Sequence, residues 1–421
     1  MISNIKIENF KSLKSVDVSG LKGLNVFWGK NNSGKSAIMQ AILLLKQSIK
    51  SNEIKYNGDI IKLGSFETVS FGRNAENIIK IDIEFVLSPG DTSELCNILT
   101  KLFKKDAPIL KELNAQSIHY CIEFGKRVLI ETVSDSGGNI LGKFEHLKDG
   151  HQNRAAYFPR LTISSAPSSF VGNGILDWVL SSGLEPAFGF VAVLKKILGN
   201  EFNNIYFIST ERGIGERIQA LRGLKDINAG VGIRGENTIS VIHHLRNNDI
   251  TLFEEIVRRA SEFGIKLTTR IDGSDTSVIC RDEILPIDVN VVDAGFGLNQ
   301  LLPIIVQSYI AGERSTILIE EPETHLHEGA QYKLLDMFLD IIGKGKQAII
   351  TSHSVALRSR TIRNYHDWQT NQTHPGIEQV QFYNIKLDSS GSIITSEPLE
   401  TMDIRDGRQV MSQEDYDGSP G

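Results

Sequence analysis

The sequence predicts an α/β protein with a mixed and parallel sheet, interrupted by an inserted helical or α+β region. Three observations predict it. An apolar strand, GLNVFWG, runs through a glycine-rich loop into SAIMQAILLLKQSI, whose apolar residues recur at helical spacing. From about residue 291 a helix, a strand, a helix and a strand alternate. Between about 86 and 290 neither regularity persists.

The elements follow in order. NIKIENF alternates, with Ile5 and Ile7 on one face. GLNVFWG is a short strand of the buried type, and Lys46 and Lys50 suit the C-terminal end of the helix after it. IIKIDIEFVL alternates again. TSELCNILTKLFKKDAPILKELN reads as helices broken at Pro108, and QSIHYCIEFGKRVLIETVS as a strand pair turning at Gly125-Lys126. DGHQNRAAYFPRLTISSAPSSFVGNG is loop-rich. GILDWVLSSG, GFVAVLKKILGN and ISVIHHLRNNDITLFEEIVRRASEFG read as amphipathic helices. A helix over about 298–310 precedes the strand TILIEE, the helix GAQYKLLDMFLDII and the strand QAIITSHS. These spans divide the chain into 1–85, 86–290, 291–385 and a polar tail over 386–421.

Composition narrows the class. The 421 residues are 40% hydrophobic and 23% charged, enough apolar material for a sizeable core. Cys96, Cys121 and Cys280 are widely spaced, which argues against a disulfide framework or a cysteine zinc site. No apolar run reaches the roughly 18–20 residues of a membrane helix, so a cytoplasmic protein with no membrane partner is expected. A net charge of −6 offers nucleic acid no global attraction; contact would need a local basic patch.

Gly29 to Ser36, GKNNSGKS, match GxxxxGK[ST] without a gap. In such a loop the backbone N–H groups cradle phosphate oxygens, and glycines permit close approach. The candidate nucleotide-binding residues are therefore Gly29, Lys30, Asn31, Asn32, Ser33, Gly34, Lys35 and Ser36. Lys35 would reach the β- and γ-phosphates of a nucleotide such as ATP, and the Ser36 hydroxyl would ligate Mg²⁺.

Some 280 residues on, TILIEEPETHLHE ends an apolar strand in Glu320-Glu321-Pro322. Paired carboxylates at a buried strand end are costly unless their charge is used. Glu320 is the candidate metal ligand, acting through water, and Glu321 the residue that polarises an attacking water. His353 ends the next strand and is placed to contact a γ-phosphate. DAGFGLNQLLPIIVQ is a glycine-rich turn opening a helix, a second source of free N–H groups.

Taken in order, GKNNSGKS, DAGFGLNQLLP, ILIEEPETHLH and TSHS resemble the ABC-type P-loop ATPase heads of RecF, Rad50/SMC and, above all, the OLD-like bacterial ATPases, as does the opening IKIENFKSL. The resemblance covers about residues 1–85 and 290–385. It implies that Gly29 to Ser36 are Walker A, Glu320 and Glu321 Walker B with the catalytic glutamate, His353 the switch histidine, and Gly295 to Gln300 the signature turn, with Gly297 and Asn299 toward nucleotide. It further implies a homodimer or higher oligomer formed through the heads, each completing the other's site. The chain departs from the family at Asn299, where serine is usual.

The resemblance extends to the ATPase subunits of the Septu and PARIS antiphage systems, which act with a separate nuclease or toxin. The competing function is a RecF-like repair ATPase that binds DNA; a third is a nucleotide-gated scaffold with little turnover. No nuclease centre of the chain's own is expected: Asp272, Asp275, Asp282, Glu283 and Asp288 alternate with turn residues and read as a solvated hairpin region. Arg212 and Arg217 in STERGIGER read equally as nucleotide or nucleic-acid contacts and as a surface ion-pair cluster. His243-His244 and His325-x-His327 read as structural rather than zinc ligands. KLFKKDAP and VLKKILG read as solvated basic faces, and Lys11 as exposed.

Overall fold

The computed structural model describes residues 1–49, 51, 53–103, 116–147, 153–158, 161–164, 185–220, 230–272, 275–281 and 287–402. The expected helix GILDWVLSSG, the break at Pro108, and Lys50, Asp282, Glu283 and the segment from 403 lie outside them. The chain forms two compact units, one of Met1–Leu21, Lys30–Ile205 and Ile385–Thr395, the other of Lys22–Gly29, Tyr206–Asn384 and the chain from Ser396.

In chain order the elements up to residue 203 are β1 (Ile2–Phe10), β2 (Leu13–Ser19), β3 (Leu24–Gly29), α1 (Lys35–Ser48), β4 (Ile79–Val86), α2 (Pro89–Phe103), β5 (Ser117–Phe124), β6 (Val128–Asp135), β7 (Ile140–Leu147), β8 (Asn153–Phe158), β9 (Leu161–Ser164) and α3 (Glu185–Asn203). All but β3 belong to the first unit. Its sheet has eight strands in the order β2-β1-β4-β5-β6-β7-β8-β9, with antiparallel neighbours. Alternation selects the faces: Ile5, Ile7, Ile79, Ile81, Ile83, Phe85, Ile118, Tyr120, Ile122 and Phe124 are buried. The register sets Ile7 against Ile81 and Ile81 against Ile122. The segment expected to be loop-rich contains β8 and β9, a correction. NRAAYF shows no apolar alternation, and the ladder to β7 supplies what its own sequence does not.

The later elements are β10 (Ile205–Ile208), β11 (Gln219–Ala220), α4 (Thr238–Asn248), α5 (Ile250–Glu262), β12 (Lys266–Asp272), β13 (Asp275–Arg281), β14 (Asp288–Asn290), α6 (Phe296–Ile310), β15 (Thr316–Glu320), α7 (Glu328–Gly343), β16 (Gln347–Ser352), α8 (Val355–Asn371), β17 (Val380–Asp388) and β18 (Gly391–Glu397). A further sheet has six strands in the order β10-β15-β16-β3-β17-β18, of which β15, β16 and β3 lie wholly in the second unit. β15 pairs parallel with β16, and β16 parallel with β3. Ile317, Leu318, Ile319, Ala348, Ile349, Ile350, Val26 and Phe27 are buried on both faces, as central parallel strands require. The stretch expected to hold one or two helices forms two, α4 and α5, divided at Asp249, whose carboxylate accepts from Leu252 N. β12 and β13 form the expected hairpin around the acidic stretch. Residues after 386, read as the start of a polar tail, instead complete β17 and form β18.

In the first unit's sheet His119 faces two carboxylates across the strand pair β4–β5. His119 Nδ1 lies 3.2 Å from Asp82 Oδ1, and its Nε2 lies 3.7 Å from Glu84 Oε1. The hydrogen bond to Asp82 raises the imidazole pKa, helped by the charges of Asp82 and Glu84 and opposed by burial and Lys6. Because the folded pKa lies above the unfolded one, this stability is fully present below about pH 6.5 and is lost as pH rises through the folded value. His119→Gln should therefore lower the unfolding midpoint at about pH 5.5 and leave it unchanged near pH ~9. Thermal unfolding across that range checks the sign; an equal deficit at both ends contradicts it.

Candidate active site

In the first unit, the loop ahead of α1 is shaped by backbone that most residues avoid. Asn32 has φ 63° and Gly34 φ 103°. A Cβ on Gly34 would lie 2.5 Å from Ser392 Oγ and 2.7 Å from Ser12 Oγ, so only glycine fits there. Those two hydroxyls are hydrogen-bonded to each other at 2.9 Å. Lys35 is buried at 6% exposure, and its Nζ donates to Lys30 O at 2.8 Å across the loop. Ser36, Asn31 and Asn32 are exposed, and Ser33 is buried. α1 has no acidic side chain in its first turn, so the positive end of its dipole is not offset there. Lys11, expected to be exposed, instead donates to Gln40 of α1 at 2.6 Å.

In the second unit, three parallel strands end at one edge of the sheet. The register places Glu320 beside Thr351, and Ser352 beside Trp28, the residue before Gly29. β3, β15 and β16 thus end together within the second unit, around Trp28, Glu320 and Ser352. Glu321 adopts φ 45°, an unusual choice for a residue with a side chain. Its N–H donates to Thr351 O at 3.0 Å. His353 Nδ1 lies 3.8 Å from Glu321 Oε1 and 3.7 Å from Glu323 Oε1. Glu323 had no part in the sequence reading, yet it organises this edge. It is 3% exposed, and its Oε1 accepts from Ser352 Oγ and from His353 N, each at 2.8 Å. The third carboxylate of EEPET was the signal that could have found it.

Arg212 is neither a surface ion pair nor at the protein surface. It is 5% exposed and donates to four main-chain carbonyls, those of Ser209, Gln300, Glu320 and Glu321. Burial lowers its pKa to about 10, with the charges of Glu323, Glu321 and Glu320 opposing the drop, so it stays protonated at neutral pH. Arg217, by contrast, makes an exposed ion pair with Asp293 at 2.6 Å, one of its two sequence readings. Gly297 is packed tightly: a Cβ there would lie 2.6 Å from His325 O. Asn299 is buried, and both ends of its amide hold Ile214, accepting from its N–H and donating to its carbonyl. His327 caps α7 by accepting from Ala330 N, and His243 lies 3.3 Å from Thr276 Oγ1. Among the described residues no group of three or more His, Cys, Asp or Glu is arranged to hold a metal ion.

A glycine loop feeding a helix, and a carboxylate pair and a histidine ending neighbouring parallel strands, are features of a P-loop ATPase. The chain belongs to the AAA ATPase domain family (AAA_15), whose model matches residues 1–217 and 225–357. ATP hydrolysis is the chemistry of that family. The DNA replication and repair protein RecF of Acinetobacter baumannii is 30% identical over 105 residues, covering 22% of this chain and 29% of RecF. RecF of Vibrio cholerae serotype O1 is 24% identical over 169 residues, covering 40% of this chain and 42% of RecF. An ATP/GTP phosphatase of Helicobacter pylori is 40% identical over 45 residues, 11% of this chain and 12% of the phosphatase. The aligned stretches span less than half the length of these curated relatives. Among solved structures, an Smc head bound to the C-winged helix domain of ScpA aligns with TM-score 0.49 and 13% identity over 95% of this chain and 98% of that one. No described helix is long and apolar enough to cross a membrane.

Proposed function

We propose that the protein is an ATP-binding and hydrolysing dimeric switch, the sensor or scaffold subunit of a bacterial antiphage system that acts in the cytoplasm with a separate nuclease or toxin. The observation that supports this reading is the common end of three parallel strands in the second unit, where Glu320 of β15, Thr351 and Ser352 of β16 and Trp28 of β3 stand side by side. The residues fit a magnesium nucleotide. The loop has a glycine where no Cβ fits, a buried lysine ammonium and a helix start free of acidic side chains. Gly29 to Lys35 would hold the phosphates, and Ser36 and Glu320 would serve Mg²⁺. When bound, the nucleotide supplies the bond to be cleaved and the ion draws charge from its oxygens. Glu321 orients and deprotonates the attacking water, and His353 contacts the γ-phosphate. Gly297 and the turn around Asn299 serve the partner subunit's nucleotide. The amide of Asn299 acts by holding Ile214 rather than by replacing the usual serine hydroxyl.

The effector is separate because the acidic stretch at 272–288 is read as a hairpin, not a metal centre. Purified protein with Mg²⁺ or Mn²⁺ is expected to leave DNA and RNA intact. Cleavage that survives Glu321→Gln and disappears on replacing Asp272, Asp282 or Asp288 would contradict this. A RecF-like, DNA-bound ATPase is the second reading, favoured by the RecF alignments. Fluorescence anisotropy separates the two. The defence reading expects no ATP-dependent binding of duplex or gapped DNA and co-purification with the product of the adjacent gene. ATP-dependent, salt-sensitive DNA binding without such a partner selects the RecF-like reading.

A further inference from the structure

We infer that Arg212 is a positioning residue that ties the signature helix to the catalytic turn of the same subunit, so that both move together. The inference rests on the reading of Glu321 as the residue that activates water. Three segments far apart in the chain meet at one guanidinium. Nε donates to Gln300 O in the first turns of α6 at 3.2 Å. Nη1 donates to Ser209 O at 3.0 Å and to Glu320 O at 2.7 Å, and Nη2 to Glu321 O at 2.9 Å. The rigid, planar fork of arginine suits this; a lysine ammonium has three donors and cannot span the same carbonyls.

The clamp acts where the backbone is strained. At φ 45° Glu321 occupies a conformation that persists only where its surroundings over-determine it. Here Thr351 O holds its N–H, while Arg212 and Thr324 N hold its carbonyl. The same turn aims the Glu321 carboxylate. Two residues past Arg212, Ile214 is gripped at both its N–H and its carbonyl by Asn299 of α6. Gly297 of α6 packs on His325 O, just beyond the turn. The segment from Arg212 to Ile214 is therefore a strap, fastened to α6 through Arg212 and Ile214 and to Glu320-Glu321 through Arg212. A shift of the turn on loss of γ-phosphate would be passed to α6 through fixed hydrogen bonds.

The test compares the full chain with Arg212→Lys, Arg212→Ala and Glu321→Gln. Arg212→Lys is expected to lower kcat roughly a hundredfold, the cost of small misplacement, while the ATP dissociation constant stays within about twofold. Millimolar guanidinium should restore part of the activity of Arg212→Ala, and ammonium should not. Hydrogen exchange is expected to show ATP-induced protection of the first turns of α6 in the wild type and none in Arg212→Lys. A folded Arg212→Lys with wild-type kcat, or with that protection intact, overturns the coupling while a dead Glu321→Gln leaves the catalytic reading standing. Wild-type turnover by Glu321→Gln overturns both. Loss of cooperative unfolding in both Arg212 variants also overturns it, in favour of a purely structural arginine.

Discussion

Lys35→Ala is expected to weaken ATP binding about a hundredfold. A buried ammonium meeting phosphate oxygens makes charge-assisted hydrogen bonds, and removing one partner of such a pair costs about 2–5 kcal/mol. At about 1.4 kcal/mol per tenfold, the middle of that range corresponds to two or more orders of magnitude. Folding should survive. Lys35 is 6% exposed, and one acceptor it leaves behind is Lys30 O, on an exposed loop residue. Calorimetric titration with ATP checks this, and equal affinity in the two proteins would remove the phosphate-loop assignment.

Glu321→Gln is expected to lower ATP turnover by about 10²- to 10⁴-fold, the usual range for a general base. The amide keeps the size of the carboxylate and loses its proton affinity. The unusual φ at this position is set by Thr351, Thr324 and Arg212 through main-chain atoms, so the substitution leaves the turn in place. ATP should therefore bind as in the wild type, with KM scarcely changed while kcat collapses. Phosphate release under saturating Mg-ATP checks the rate. Loss of ATP binding in parallel would mean that the side chain holds the nucleotide rather than acting on water.

How much of this was legible in the sequence depends on where each feature's partners lie. β3, the loop and α1 are contiguous, so apolar runs, glycines and helical spacing announce them together. β15 and β16 are apolar on both faces, and five- and six-residue runs of that kind have few other readings. The strand pair β5–β6 was legible from its alternation and the turn at Gly125. β8 and β9 were not, because short strands with mixed faces resemble loops until a neighbour pairs with them. β18 was missed for the same reason: only Gly391 and Ser392 of it are buried.

Arg212 and Asn299 show a different limit. Each could be singled out, one as an arginine after an apolar strand, the other as a departure from the expected serine. Apart from Ser209 O, however, their partners are main-chain atoms of residues 85 to 109 positions away. Side-chain type carries no information about such a partner, since every residue offers a carbonyl. Glu323 was overlooked because it follows a pair that already had a role, and its acceptor function toward Ser352 and His353 appears only when β15 and β16 lie side by side.

The central claim is that ATP drives two copies of this chain together and hydrolysis releases them. Sedimentation velocity of Glu321→Gln with Mg-ATP, Mg-ADP and no nucleotide tests it most directly. The predicted result is a species of twice the protomer mass or a multiple of it with ATP, reverting toward the nucleotide-free distribution with ADP, and no ATP response when Lys35→Ala is added. One sedimentation profile in all three conditions, in a protein that calorimetry shows to bind ATP, would contradict it.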